Sequence, residues 1–204
     1  YVEETAVGAL AVTNAYQKIQ EEMEETCCIT SCCASVNLLI EKHFPKLIPL
    51  LIPVLTPLMV HARLLKQKYG HETKVVFIGP CLAKKIEGEE DEFIDAVLTI
   101  EELIQWISEE HLDFDQVESM NLDATEQSQR TYPIVGGMSS CFTKRKKNIE
   151  IVPVDGIEDC IKVLEGIERR EFENCFFEMS ACHHSCIGGP AIGDKEVNIF
   201  KRKM

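Results

Sequence analysis

The chain has 204 residues, 45% hydrophobic and 27% charged, an ordinary globular mix long enough to bury a core as one large domain or two small lobes. Its net charge of −13 speaks against a nucleic-acid partner, which needs a basic face, and no apolar run approaches the roughly 20 residues of a membrane-spanning helix. Ten cysteines are many, but the chain is too long and too rich in core residues for a small disulfide scaffold, and nothing at its start reads as an export signal.

A reducing, cytoplasmic compartment is therefore expected, where thiols or metal sites outrank disulfides. In chain order, Val7, Leu10, Ala11, Ala15, Tyr16 and Ile19 recur at helical spacing and predict an amphipathic helix within 3–24. CCITS (27–31) reads as a short buried strand. The helix SVNLLIEKHF (35–44) follows, capped by Ser35 or the cysteines before it and ending near Pro45. Pro49, Pro53 and Pro57 break the most apolar stretch, 47–60, and PLMVHARLLKQKYG (57–70) is a helix stopped by Gly70. KVVFIGPC (74–81) is an apolar run ended by Gly-Pro and reads as a parallel-type buried strand. AKKIEGEEDEF (83–93) is expected to be a charged loop. DAVLTI (95–100) is a strand, and Thr99 opens a T-x-x-E capping pattern into EELIQWISEE. Residues 111–130 form a polar excursion. YPIVGG (132–137) predicts a short strand with a glycine stop, and the basic cluster Lys144–Lys147 a solvated loop. IEIVPVDG (149–156) is a strand before the helix IEDCIKVLEGIER (157–169). FFEMSAC (176–182) is the last strand, and the glycine-rich CIGGPAIG (186–193) closes the chain.

Strands alternating with helices predict an α/β fold of mostly parallel sheets flanked by helices. In such sheets ligands bind beyond the carboxyl ends of the strands. Cys33 follows the first strand, Cys81 the second, and Cys182 with Cys186 the last. Four thiolates there suit zinc or an iron–sulfur cluster, or are simply buried, as Cys141, Cys160 and Cys175 are expected to be. Ligands spread over 150 residues favour a cluster over a zinc knuckle. Three details ask for more than an electron-transfer cluster: Cys32 is left over beside Cys33, Lys84 and Lys85 follow Cys81, and glycines follow Cys186. A second metal unit would use a thiol for protons, an ammonium for an anionic ligand and glycines for room.

TSCC (30–33), PCLAKKIE (80–87) and EMSACHHSCIGG (178–189), with FPKLIP (44–49) between, resemble the three signature motifs of the catalytic domain of [FeFe]-hydrogenases, the C-terminal domain of the iron-only hydrogenase large subunit, in its divergent or sensory branch. The resemblance covers nearly the whole chain as one domain, 1–204, truncated or minimal, with no ferredoxin-like domain. It implies two lobes with the metal cofactor between them. Cys33, Cys81, Cys182 and Cys186 would hold a [4Fe–4S] cluster, with Cys186 bridging to a di-iron unit bearing CO, CN⁻ and azadithiolate, the whole being the H-cluster. Cys32 would exchange protons, Lys84 would donate to a cyanide, Glu87 would support Lys84, and Ser180, Gly188 and Gly189 would line the cofactor. The implied activity is interconversion of H₂ with protons and electrons. The implied partners are ferredoxin or another redox protein and the maturation proteins of the di-iron unit, with no nucleic acid and no membrane.

The pattern also departs from the family. TSCCPGW is here TSCCASV, Gly79 and Ser180 replace methionines, and His184-Ser185, after His183, replace a glycine pair. Glu4 falls where the proton path has its first carboxylate, but Val7 and Ile52 fall where it has a second carboxylate and a serine, so slow turnover is expected. The alternatives are an H₂ sensor on the same site, a non-catalytic [4Fe–4S] protein related to cluster-assembly factors, and, last, a zinc-stabilised structural domain.

Overall fold

The computed structural model describes residues 1–24, 26–113, 118, 130–193 and 196–203. Most of the polar excursion expected at 111–130 lies outside them. The five strands among the described residues all pair in parallel, in two separate sheets. The larger has the order β1 (Cys28–Ile29), β5 (Cys175–Ser180), β4 (Glu150–Asp155); the smaller pairs β2 (Val76–Gly79) with β3 (Ala96–Thr99). This is the parallel α/β class that the alternation of elements predicted, and the two sheets match the two lobes that the resemblance implied.

The central strand β5 is covered on both faces and reads as a continuous run. Phe176, Phe177 and Met179 are fully buried, each contributing about 1.5–3 kcal/mol by leaving water. Phe177 packs with Ile29, Val36, Ile40 and Leu164, whereas Phe176 faces Val12, Tyr16, Met138 and Phe142. Alternate residues of one strand thus serve two cores.

The helix α1 (Ala6–Glu22) lies against α3 (Pro57–Tyr69). Gly8 permits the approach: a Cβ there would collide with the Pro57 carbonyl and lie 2.7 Å from His61 Cβ. The helix α3 starts at Thr56, whose hydroxyl accepts from the Met59 amide, and stops at Gly70, whose φ of 102° suits only glycine. Between α2 (Ala34–His43) and α3, the proline-broken stretch is a 3₁₀ segment, Pro45–Leu50, followed by extended chain. The T-x-x-E pattern is a full capping box on α5 (Ile100–Glu109), with Thr99 and Glu102 exchanging backbone and side-chain bonds.

Several expectations are corrected. The strand β2, read as buried, leaves Val76 and Ile78 50% and 44% exposed, because its sheet has only two strands. Residues 83–90 are the helix α4 (Ala83–Glu90), not a loop. Their only strongly apolar member, Ile86, leaves no apolar period to read, but Ala, Lys and Glu are good helix formers and the chain must turn back after β2. Residues 132–136 are turns, not a strand, leading into the short helix α6 (Gly137–Ser140). Gly136 adopts φ 70°, and the buried Glu178 carboxylate accepts the Met138 and Ser139 amides at 3.0 and 2.9 Å. A long-range acceptor overrides the β-branched local pattern. The helix α7 (Ile157–Glu168) packs on the large sheet, and α8 (Ile199–Arg202) closes the described chain. The basic cluster is not wholly solvated either: Arg145 donates to the Ser139 carbonyl and Lys146 to that of Met23.

Candidate metal centre

The turn that leaves β1 is built to present two thiols. The Thr30 amide continues the ladder to the Phe177 carbonyl, at 2.9 Å. The Ser31 hydroxyl donates to the Val54 carbonyl, its amide donates to the Tyr16 hydroxyl, and Asn37 grips the Ser31 carbonyl from α2 at 2.8 Å. With the chain fixed there, Cys33 occupies the N-cap position of α2 but makes no side-chain capping bond. Its thiol is left for other work.

Cys81 follows β2 through Gly79-Pro80. The Pro80 carbonyl accepts the Ala191 amide at 3.2 Å, which draws the C-terminal loop onto this turn. Cys182 and Cys186 flank a tight loop after β5. His184 and Ser185, where the resembling family has glycines, adopt φ of 64° and 61°. This left-handed backbone is costly for residues with a Cβ. The Asp155 carboxylate at the end of β4 accepts the His184 amide at 2.7 Å, and the Ser185 amide donates to the Cys182 carbonyl, so the surrounding structure holds the strain.

A cavity of about 330 Å³ lies where these strand ends meet. Cys32, Cys33, Cys81 and Cys186 line it, with Lys84, Ser180 and Glu178. Cys186 keeps access to solvent through the cavity, yet protein crowds it closely. Burial first, then the neighbouring Cys33 and Cys81, pushes its thiol up to about 12, and Lys84 pulls the other way. Burial, then Cys33 and Cys81, likewise raises Cys182. Cys33, Cys81, Cys182 and Cys186 therefore stand within mutual electrostatic reach, from three separate chain segments. Among the described residues, no group of three or more His, Cys, Asp or Glu is gathered so as to hold one metal ion. Cys33, Cys81 and Cys186 line the void and Cys182 does not, standing near them on the loop after β5; four soft thiol donors so spread fit a body wider than a single ion, as an iron–sulfur cluster is.

Cys32 lines the same cavity. Its thiol donates to the Thr30 hydroxyl at 3.6 Å, and burial, then Glu178 and Cys33, pushes it up to about 12. Tyr16 and Tyr132 sit beside it, both raised by burial first and by Cys32 next. Lys84 reaches the cavity with its ammonium 2.6 Å from Glu87, whose same oxygen accepts the Thr56 hydroxyl at 2.8 Å. Glu87 itself lines a separate hollow behind, of about 230 Å³, with Thr56, Ser31 and Asn37.

Ser180 lines the cavity and bonds the Ser185 hydroxyl at 2.9 Å. Gly188 and Gly189 do not line it. A Cβ on Gly188 would strike the His183 carbonyl, and one on Gly189 would lie 2.9 Å from the carbonyls of Cys186 and Pro80, so these glycines admit the protein's own backbone. Glu178 and Phe77 are lining residues that sequence reasoning missed. A charged residue inside the apolar run CFFEMS was the available signal for Glu178. Phe77 had none: its ring folds over Gly79, 2.6 Å from where a Cβ would be. Of the remaining cysteines, Cys160 and Cys175 are buried as expected, and Cys141 is half-buried, donating to the Gly137 carbonyl.

The family model described as the iron only hydrogenase large subunit, C-terminal domain, matches residues 1–190. Among solved structures, that of HydA(deltaEFG), from work on stepwise H-cluster assembly of [FeFe]-hydrogenase, aligns over 98% of this chain and 69% of its own, with 16% identity and a TM-score of 0.64. A glutamate-to-glutamine variant of the [FeFe]-hydrogenase HydA1 from Chlamydomonas reinhardtii aligns over 98% and 70%, with 16% identity and a TM-score of 0.66. No curated protein matches the chain. At such identity the solved structures establish a shared fold.

Proposed function

We propose, from the premise that this chain belongs to the family of C-terminal domains of the iron-only hydrogenase large subunit, that it holds an H-cluster and interconverts H₂ with two protons and two electrons. The observation that carries the proposal is the convergence of Cys33, Cys81, Cys182 and Cys186 beside a cavity that also receives Cys32 and Lys84. The bound group would supply the redox metal chemistry and the site at which H₂ is split or formed.

The residues of the chain have separate tasks in this scheme. Cys33, Cys81, Cys182 and Cys186 would hold the [4Fe–4S] part as thiolates, and Cys186, which the cavity reaches, would also serve the di-iron part. Binding must displace thiol protons that burial otherwise retains. Lys84, held by Glu87, offers an ammonium to an anionic ligand, a charge-assisted contact stronger than a neutral one. Cys32 carries the proton at Sγ between the cavity and the protein. Ser180 bounds the cavity beside Cys186, and Gly188 and Gly189 shape the loop that presents it. Electrons leave through a ferredoxin-like partner, and maturation proteins deliver the di-iron unit.

A second reading is a [4Fe–4S] protein that does not turn over H₂, either a sensor or a relative of cluster-assembly factors. One feature favours it: Ile52, buried to 3% among Val12, Tyr16 and Phe176, offers no polar step where the family's path has a serine. The test is an infrared spectrum of the anaerobic protein after reconstitution with iron, sulfide and a di-iron precursor, with H₂ assays of the wild type and of Cys32→Ala. Metal-bound CO and CN⁻ bands in both proteins, with turnover lost in Cys32→Ala, are expected. Iron–sulfur absorption without those bands would remove the enzyme reading, and undiminished turnover in Cys32→Ala would remove the role of that thiol.

A further inference from the structure

The large sheet carries a second gathering of thiols, at the end opposite the metal centre. Parallel register places Cys28 against Phe176, so one step earlier Cys27 stands opposite Cys175. Adjacent strands lie about 4.8 Å apart, inside the roughly 4.4–6.8 Å that a disulfide spans between Cα atoms. Both side chains belong to the same core cluster, whereas Cys28 packs into the other. Both sulfurs also lie under one loop: Cys27 donates to the Phe172 carbonyl at 3.4 Å and Cys175 to the Glu173 carbonyl at 3.3 Å. The Cys27 thiol is near enough to raise that of Cys175, and both are free.

Access differs between them. Both residues are buried, at 7% and 5% exposure, but Cys27 lines a surface hollow of about 410 Å³ with Thr26, Leu50, Phe172 and Asn174, and Cys175 does not. Burial pushes the Cys175 thiol up to about 11, with Cys27 as the next cause. An incoming reagent therefore meets Cys27 first.

We propose that Cys27 and Cys175 are a reactive dithiol that closes to a disulfide when a small-molecule disulfide such as oxidised glutathione accumulates, fastening β1 to β5. The Cys27 thiolate attacks one glutathione sulfur, breaking the glutathione disulfide and releasing one glutathione thiolate. The Cys175 thiolate then attacks Cys27 Sγ, forming the protein disulfide and expelling the second. The two protein thiol protons end on two reduced glutathiones, so two protein thiols are oxidised and one small disulfide is reduced. The consequence lies at the far end of the same strands: β1 has only two residues, and it leads directly into Cys32 and Cys33, as β5 leads into Cys182. A cross-link would pin that short strand when the chain meets an oxidising environment.

The test uses the full reduced chain, equilibrated anaerobically with oxidised glutathione, then blocked with a maleimide and mapped as unreduced peptides. Each cysteine is scored separately, so reactions at the metal-site thiols do not mask the result. The expected product is a peptide pair joining Cys27 to Cys175, replaced in Cys175→Ser by a glutathione adduct on Cys27. A Cys27–Cys28 link, a lasting glutathione adduct on wild-type Cys27, or maleimide on both Cys27 and Cys175 would each overturn the proposal. The wild-type map decides even if the variant does not fold.

Discussion

Lys84 and Glu87 show how a pair of charges becomes a functional part only by placement. Their side chains are 12% and 11% exposed, and the 2.6 Å contact compensates a desolvation neither group would bear alone. Lys84→Met should therefore cost about 3–5 kcal/mol in urea unfolding, because it leaves the largely buried Glu87 carboxylate with the Thr56 hydroxyl and no cation. The double variant with Glu87→Gln should recover part of that loss. Strict additivity of the two changes would show that the pair is not coupled. Glu178 is a buried acceptor of a different kind, serving two backbone amides rather than a cation. Glu178→Ala strands both donors, and at about 1–3 kcal/mol for each buried unpaired group the expected loss is about 2–4 kcal/mol. Glu178→Gln, which keeps an acceptor oxygen, should lose clearly less; equal losses would point to packing instead. Lys84 was legible from its motif and Glu178 was not, because its partners come from residues about 40 positions away.

Among the elements, those marked by a local signal were placed where they stand, and those held by distant contacts were not. The helix α1 lies within the range its spacing predicted, but its buried face is Gly8, Ala9, Val12, Thr13, Tyr16 and Gln20, so of the residues read as its apolar period only Tyr16 is buried. The T-x-x-E cap of α5 is a local property and appears as expected. The helix α4 escaped because its stability rests on propensity and on ion pairs such as Lys85 with Glu102, not on an apolar stripe. The turn at 132–136 escaped because Glu178 pulls α6 into being from across the sheet. The α1–α3 contact is a further case of a local residue with a tertiary reason. Gly8→Ala should destabilise the protein by about 1–3 kcal/mol through overpacking against Pro57 and His61, seen as a lower urea midpoint. A neutral result would mean that the two helices slide apart without cost.

At the scale of the molecule, the N-terminal segment is tied to α3 by Glu3, which accepts from Lys68 at 2.6 Å, from Tyr69 at 2.7 Å and lies 3.4 Å from His61. The Lys68 bond first, then that of Tyr69, lowers the Glu3 carboxyl from its ordinary 4.5 to about 2. A carboxylate whose folded pKa is depressed stabilises the fold above the unfolded value, and that stability is lost as pH falls from 4.5 toward 2. Wild type and Glu3→Gln should therefore differ in unfolding free energy at pH 7 and converge between about pH 4.5 and 2; a gap that stays constant with pH would exclude the linkage.

The sequence by itself determined the strand–helix alternation, the parallel class of the sheets and the strand ends at which Cys33, Cys81, Cys182 and Cys186 stand. These follow from periodicity and from short-range breakers such as Gly70 and Gly79-Pro80, which act over a few residues. Only the tertiary structure decided which strands pair in which sheet, that Glu178 braces α6, that Gly188 and Gly189 serve backbone packing, and that Cys27 meets Cys175. Each of these depends on which residues far apart in the chain come to share one face, and the sequence sets that only through the energy of the whole fold.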